Sequence, residues 1–232
     1  ENVPKRFQGL GCFSVRKKII KEIDKNNLLV KVEEHIHQVG HSERTDAIIE
    51  PRISKQWFLK MEEFTVPALK VVSSGEIKFH PKRWEKIYNH WLENIKDWCI
   101  SRQLWWGHQI PVWYKGKEVY CGIEAPKGDG WKQEEDVLDT WFSSWLWPFA
   151  TLGWPEETKN LKKFYPTQDL ATGPDIIFFW VARMIMSGLY FKNEIPFSAV
   201  YFTSIIRDDK GRKMSKSLGN SPDALELFDE YG

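Results

Sequence analysis

Residues 174–191 are apolar over the length of a helix, and after a short loop residues 199–206 form a second unbroken apolar run. A helix apolar on every face has to be buried on every face, and a short continuous apolar run suits a strand covered on both sides of a parallel sheet. The pair points to a layered α/β fold. A bilayer is the other medium that accepts such a helix, but Arg183 at its centre and Asp175 near its start are both expensive in lipid. The sequence therefore predicts a core helix over 169–191, a buried parallel strand over 199–206, and no membrane span.

Other periodicities fill in around this layer. Ile19, Ile20, Ile23, Leu28 and Leu29 recur among lysines at helical spacing, predicting a helix over 16–29, and the alternation that follows predicts a strand over 29–32. Residues 53–61 read as a strand, and Gly75 ends a polar connection after it. Trp84, Ile87, Tyr88, Trp91, Leu92, Ile95 and Trp98 form one apolar stripe, which predicts a helix over 81–98 with Pro81 in its first turn. Lys115-Gly116-Lys117 reads as a hairpin tip, and residues 126–130 as an exposed loop. Ser221 as N-cap and Pro222 at the first helical position open a last helix.

Composition narrows the function classes. The chain has 232 residues, 42% hydrophobic and 28% charged, which excludes disordered and collagen-like classes and suits one large domain or two small ones. A formal net charge of +1 supplies no global basic field, so any nucleic-acid contact has to come from local patches. Cys12, Cys99 and Cys121 lie far apart with no paired spacing, which argues for a reducing cytoplasm and against a disulfide scaffold or zinc knuckle. His35, His37 and His41 share a short stretch, but no carboxylate or cysteine completes a metal set at a usual spacing, and polar loop histidines are the plainer reading. The 13 tryptophans are mostly core material.

The chemistry concentrates in Arg212-Lys213-Met214-Ser215-Lys216-Ser217-Leu218-Gly219-Asn220, between the buried strand and the last helix. Two ammonium groups three residues apart, with hydroxyls between and beside them, can close on a polyphosphate, although charge alone favours a solvated loop. The order of residue types resembles the KMSKS signature of class I aminoacyl-tRNA synthetases, with all five letters matched and the expected strand and helix on either side. That resemblance implies ATP binding by Lys213, Met214, Ser215, Lys216 and Ser217, with Lys213 and Lys216 stabilising the leaving pyrophosphate. Gly173-Pro174-Asp175 is similar to the helix start that holds the adenosine ribose in this family. The residue types suit that role, since glycine permits close backbone approach and aspartate can accept from paired hydroxyls; Asp175 would also serve as a simple helix cap.

Further segments resemble the valine-specific branch of the family. Residues 97–111, from Asp97 to Pro111, resemble a segment shared by the valine, isoleucine and leucine branches, with Leu104-Trp105-Trp106-Gly107-His108 in the valine form. Asp136-Val137-Leu138-Asp139-Thr140-Trp141-Phe142-Ser143-Ser144 also matches the valine form, and Val39-Gly40-His41-Ser42-Glu43-Arg44 and Ser54-Lys55-Gln56-Trp57-Phe58 extend the resemblance over nearly the whole chain. The resemblance implies that Trp98 and Trp141 wall the amino-acid pocket. It further implies valine, ATP with Mg2+ and the valine tRNA as substrates, a cytoplasmic monomer, and correction of threonine errors in an editing domain, because a small apolar pocket rejects an added hydroxyl poorly. The isoleucine-specific branch is the nearest alternative, and a non-catalytic RNA- or protein-binding module the other.

The family's second signature, H-x-G-H, is absent from this sequence; His37-Gln38-Val39-Gly40-His41 has one residue too many. The expected layout is therefore residues 1–50 as the tail of an editing insertion, 51–220 as the second half of the catalytic Rossmann-like domain, and 221–232 as the start of the next segment. This implies a partial doubly wound sheet with ligands at the carboxyl ends of its strands, and no adenylate formation by this chain alone. Thr203-Ser204 stands where the family often has a His-Gly pair, so an adenine contact is not carried over there. Residues 115–135 lack the cysteine pairs that hold zinc in some relatives, and no metal is expected.

Overall fold

The apolar run near residue 200 becomes the middle of a three-stranded parallel sheet. In the computed structural model, which describes residues 3–42, 45–51, 53–215 and 218–232, strand Phe197–Phe202 lies between Lys78–His80 and Thr167–Thr172. Its register runs from Phe197 opposite Thr167 to Phe202 opposite Thr172 on one side, and pairs Val200 with Phe79 on the other. The strand ends at Phe202, short of the predicted 206; the Thr203 N–H still donates to the Thr172 carbonyl at 2.9 Å, and among the described residues the parallel ladder goes no further. Two compact units emerge, Glu1–Ser54 and Lys55–Gly232, and the sheet belongs to the second.

The core helix spans Pro174–Lys192. Residues 169–172, which hydropathy assigns to its start, are strand instead, since Thr167–Thr172 finds a backbone partner in the central strand and Pro174 can begin a helix only after it. Its winding is π-like over Ile177–Ala182 and Gly188–Lys192 and α-helical over Arg183–Ser187, and Asn193 ends it in the left-handed conformation at φ 52°. It is the described helix long and apolar enough to cross a membrane, yet half of it is buried within the protein. Ile177, Val181, Met184 and Ile185 pack with Phe79, Phe197 and Val200 in the main core.

Two further helices cover this core. Trp84–Glu93 follows the predicted stripe but stops well short of residue 98, because the Asn94 side chain donates to the His90 carbonyl at 2.8 Å and Trp98 joins a strand. Glu62–Ser73 occupies a segment that sequence reading leaves as strand end and polar connection. Its buried positions Phe64, Ala68, Val71 and Val72 do keep helical spacing, but Pro67 within it and the valines argue against a helix locally; packing overrides propensity. The predicted strand over 53–61 shrinks to Phe58–Leu59, paired antiparallel with Trp98–Cys99.

An antiparallel sheet of Val112–Lys115, Glu118–Cys121 and Lys132–Gln133 carries the expected hairpin, with Gly116 at φ 62° in its tip. The last helix, Ala224–Tyr231, is capped by Asp223, whose carboxylate accepts from the Leu225 N–H at 2.8 Å, so Asp223 rather than Ser221 is its N-cap. In the first unit the helix is Cys12–Lys25, and residues 29–32 are not a strand: Val30 is 94% exposed and no neighbouring strand pairs with this stretch among the described residues. His35 and His37 stack with ring centroids 5.5 Å apart, and His41 Nδ1 lies 2.8 Å from the Asp46 carbonyl. Among the described residues no three metal-binding side chains come together. Glu43 and Arg44 lie outside the described residues.

Removing a buried ring should cost far more than removing an exposed one. Phe79 is 2% exposed and meets Tyr88 and Phe202 edge-on, so Phe79→Ala is expected to destabilise by about 3–5 kcal/mol in denaturant unfolding. Trp105, fully exposed, should tolerate alanine within about 0.5 kcal/mol.

Candidate functional site

Parallel pairing brings two chain exits side by side at the carboxyl end of the sheet. Gly173 follows Thr172 on one strand and Thr203 follows Phe202 on its neighbour. A side chain at Gly173 would press on Ile205, with an added Cβ 3.3 Å from Ile205 Cδ1, so a larger residue there would require Ile205 to shift by a few tenths of an ångström. Asp175 then sits in the first turn of the core helix, where the helix dipole favours an anion. Lys213 reaches it from the basic loop, with Nζ 3.2 Å from Asp175 Oδ2. Both groups are well exposed, so this pair contributes little stability and is easily exchanged for other partners.

The basic loop is held at its base by a side chain that charge patterning does not single out. Asp208 Oδ1 accepts from the Lys210 and Arg212 N–H groups at 3.1 and 2.7 Å, and Oδ2 from Arg212 Nε and Asn220 Nδ2, both at 2.8 Å. Asn220 in turn accepts from the Ser215 N–H at 2.9 Å and donates to the Lys213 carbonyl at 3.3 Å. Asp208 and Asn220 thus clasp the two ends of the segment that carries Lys213, Met214 and Ser215. Met214 and Ser215 are half-buried, while Lys216 and Ser217 lie outside the described residues.

A cavity of about 630 Å³ opens beside the core helix, lined by Trp98, Trp141, Phe178, Phe179, Asp139 and Arg183 among others. Trp98 comes from the short strand Trp98–Cys99, and Trp141 from helix Thr140–Ser144, stacked on Phe179 at 5.8 Å. The two predicted pocket tryptophans therefore line one cavity, and Phe178 and Phe179 of its wall lie one helical turn beyond Asp175. One helix joins the Asp175–Lys213 pair to the aromatic cavity.

Arg183 is the unexpected member. Only 5% exposed, its guanidinium lies 3.6 Å over the Trp98 ring and 3.9 Å from Asp139 Oδ2. Its Nε and Nη1 are buried with no hydrogen-bond partner among the described residues. Burial pushes the Arg183 pKa down to about 10, against the pull of Asp139 and with the help of Arg102, so it stays a cation at neutral pH. Asp139 also takes Trp98 Nε1–H at 2.9 Å and Arg102 Nη2 at 3.1 Å. A charge at the centre of an apolar helix is the signal that could have found Arg183, and sequence reading used it only against a membrane span. Asp139 gave none, because its partner Trp98 lies 41 residues away in the chain.

A second cavity of about 650 Å³, near Trp57, Tyr114 and Glu134, is different in kind. Glu134 already accepts from Trp57 Nε1, Tyr114 Oη and the Glu135 N–H, so its carboxylate is committed to joining the antiparallel sheet to residue 57.

Comparison with known proteins identifies the family and the fold. The family described as tRNA synthetases class I (I, L, M and V) matches residues 13–128 and 123–232. A valine–tRNA ligase of Chlorobaculum tepidum is 57% identical over 238 residues, covering 97% of this chain and 26% of that protein. The valine–tRNA ligase of Bacillus subtilis is 52% identical over 232 residues, covering 98% of this chain and 26% of its own length. The chain thus spans about a quarter of the length of the curated relatives it matches. Among solved structures, the methionyl-tRNA synthetase of Mycobacterium tuberculosis bound by methionyl-adenylate superposes with a TM-score of 0.58 at 19% identity, over 84% of this chain and 34% of that one, a likeness of fold.

The clasp sets a pH response. Hydrogen bonding from Asn220 first, and then from Arg212 and Lys210, holds the Asp208 carboxyl below its ordinary value of 3.8, against a smaller opposing effect of burial. Its contribution is complete above 3.8 and is lost as the pH falls through the lower folded-state value. Asn220→Ala should raise the Asp208 pKa toward 3.8 in a carboxyl carbon NMR titration, and an unmoved titration would remove Asn220 as the cause.

Proposed function

The chain belongs to the class I tRNA synthetases (I, L, M and V), and from that premise we infer that it carries the pyrophosphate-side half of a site that activates valine with ATP and transfers it to the valine tRNA. The observation that supports this most is the meeting of Asp175 and Lys213 at the head of the helix that walls the Trp98–Trp141 cavity. One helix carries Asp175 of the exchangeable pair and Phe178 and Phe179 of the wall of the aromatic cavity.

In the reaction the valine carboxylate attacks the α-phosphorus of ATP, bound as its magnesium complex. The new bond is carboxylate oxygen to phosphorus, and the bond from that phosphorus to the bridging oxygen breaks, so pyrophosphate leaves with the electron pair. Asp175 exchanges the Lys213 ammonium for the ribose hydroxyls, and the released ammonium turns to the phosphates, where negative charge grows on the leaving group. Little energy opposes the exchange, because an exposed ion pair contributes only about 0–1 kcal/mol. Lys216 is assigned the same role by its place in the motif, with Met214, Ser215 and Ser217 as loop contacts and Gly173 giving room to the nucleotide. Trp98 and Trp141 flank the isopropyl group. A hydroxyl of the terminal ribose of the tRNA then attacks the activated carbonyl carbon. The new ester bond forms as the bond from that carbon to the phosphate oxygen breaks, AMP leaves with that electron pair, and the hydroxyl proton is released.

The reading assigns residues 1–50 to the end of an editing insertion, 51–220 to the catalytic domain and 221–232 to the segment after it, in a cytoplasmic enzyme. The three free cysteines suit that compartment.

Valine-dependent ATP–pyrophosphate exchange tests the assignment. The full-length protein that carries this sequence should exchange with valine and not with isoleucine, and Lys213→Ala should lower the rate about 10²–10³-fold. The 232-residue chain alone, with no H-x-G-H run, should be silent. A preference for isoleucine would overturn the substrate assignment, and exchange by the isolated chain would overturn the half-site reading.

A further inference from the structure

Trp98 and Trp141 come from different elements, yet both are tied to one three-residue stretch. Asp139 holds the Trp98 indole through Nε1–H at 2.9 Å, and Trp141, two residues later, lines the same cavity. The backbone is pinned at the same place, since the Asp139 N–H donates to the Ile100 carbonyl at 2.7 Å and Ser101 pairs with Leu138. An indole has a single polar handle, so turning the ring over would move Nε1 away from Asp139, its acceptor among the described residues. Arg183 closes the remaining freedom. Its guanidinium covers the ring at 3.6 Å, and since Nε and Nη1 have no hydrogen-bond partner among the described residues, the Trp98 face, the more distant Phe178 and Phe179 rings and the Asp139 charge at 3.9 Å are what compensate it.

We propose that Asp139 and Arg183 are positioning residues that lock the Trp98 indole and thereby set the width of the amino-acid slot between Trp98 and Trp141. Neither touches the reacting atoms in this scheme. The proposal rests on the valine-pocket reading above and adds the device that makes such a pocket size-selective. Discrimination by one methylene is worth only about 10–200-fold, so a wall free to swing would lose most of it.

The test is a double-mutant cycle in the full-length protein that carries this sequence, read by ATP–pyrophosphate exchange. Trp98→Phe keeps a ring over Arg183 and every charge but removes the N–H, so it perturbs the fold least. Asp139→Ala in the Trp98 background should raise KM for valine about tenfold and cut the preference for valine over isoleucine by a similar factor. In the Trp98→Phe background the same change should add less than about twofold. KM for ATP should stay within about twofold throughout, which a general loss of structure would not allow.

Equal effects of Asp139→Ala in both backgrounds, or KM values for valine and ATP rising together, would overturn the positioning role. Trp98→Ala and Trp141→Ala separate the two levels of the argument. If both leave KM for valine unchanged, the pocket reading itself fails and the proposal with it. If they raise KM while Asp139→Ala does not, only the positioning role fails.

Discussion

The parallel register between Thr167–Thr172 and Phe197–Phe202 is the constraint on which the rest depends. Because the two strands run the same way and end together, both chain exits fall at one edge of the sheet, and the helix and the basic loop start within reach of each other. An antiparallel pairing would send them to opposite ends. Placement at the carboxyl ends of parallel strands is a general property of open α/β sheets. Here it accounts for a contact across 38 residues between Asp175 and Lys213 that contributes almost nothing to stability on its own.

The core helix carries two demands that conflict. Packed against the sheet, it must be apolar, and Val181, Ala182, Met184 and Ile185 are essentially inaccessible to solvent. At Arg183 it buries a cation instead. A buried ion group is poor value for stability, and breaking one by removing a partner leaves an uncompensated charge that costs about 3–5 kcal/mol. Arg183 is tolerated because Asp139, itself held by Arg102 and Trp98, stands opposite, and because the Trp98 ring accepts the cation face-on. The stability given up there orders a tryptophan at the edge of a cavity.

Elements that declare themselves through packing periodicity were legible in the sequence: the buried strand, the core helix, the Trp84 stripe and the Lys115–Lys117 hairpin. Their ends were less so. Trp98 belongs to the helical stripe by spacing and to a strand by structure, because the Asn94–His90 contact stops the helix first. Glu62–Ser73 was hidden by Pro67, which a buried helix accommodates and a propensity argument does not. At the site, Gly173, Asp175 and Lys213 could be named because each sits in a motif with a chemical reason. Asp139, Asp208 and Asn220 could not, since their work is to hold other side chains, and the partners are fixed only by the fold.

The central claim is that the Asp175–Lys213 pair and the tryptophan cavity are two ends of one site. The direct measurement is a crystal structure of the full-length protein with a non-hydrolysable valyl-adenylate analogue. The account predicts the ribose hydroxyls on Asp175, Lys213 turned away from it toward the phosphate position, and the isopropyl group between Trp98 and Trp141. An analogue bound with Asp175 still paired to Lys213, or with its side chain outside that cavity, would contradict it.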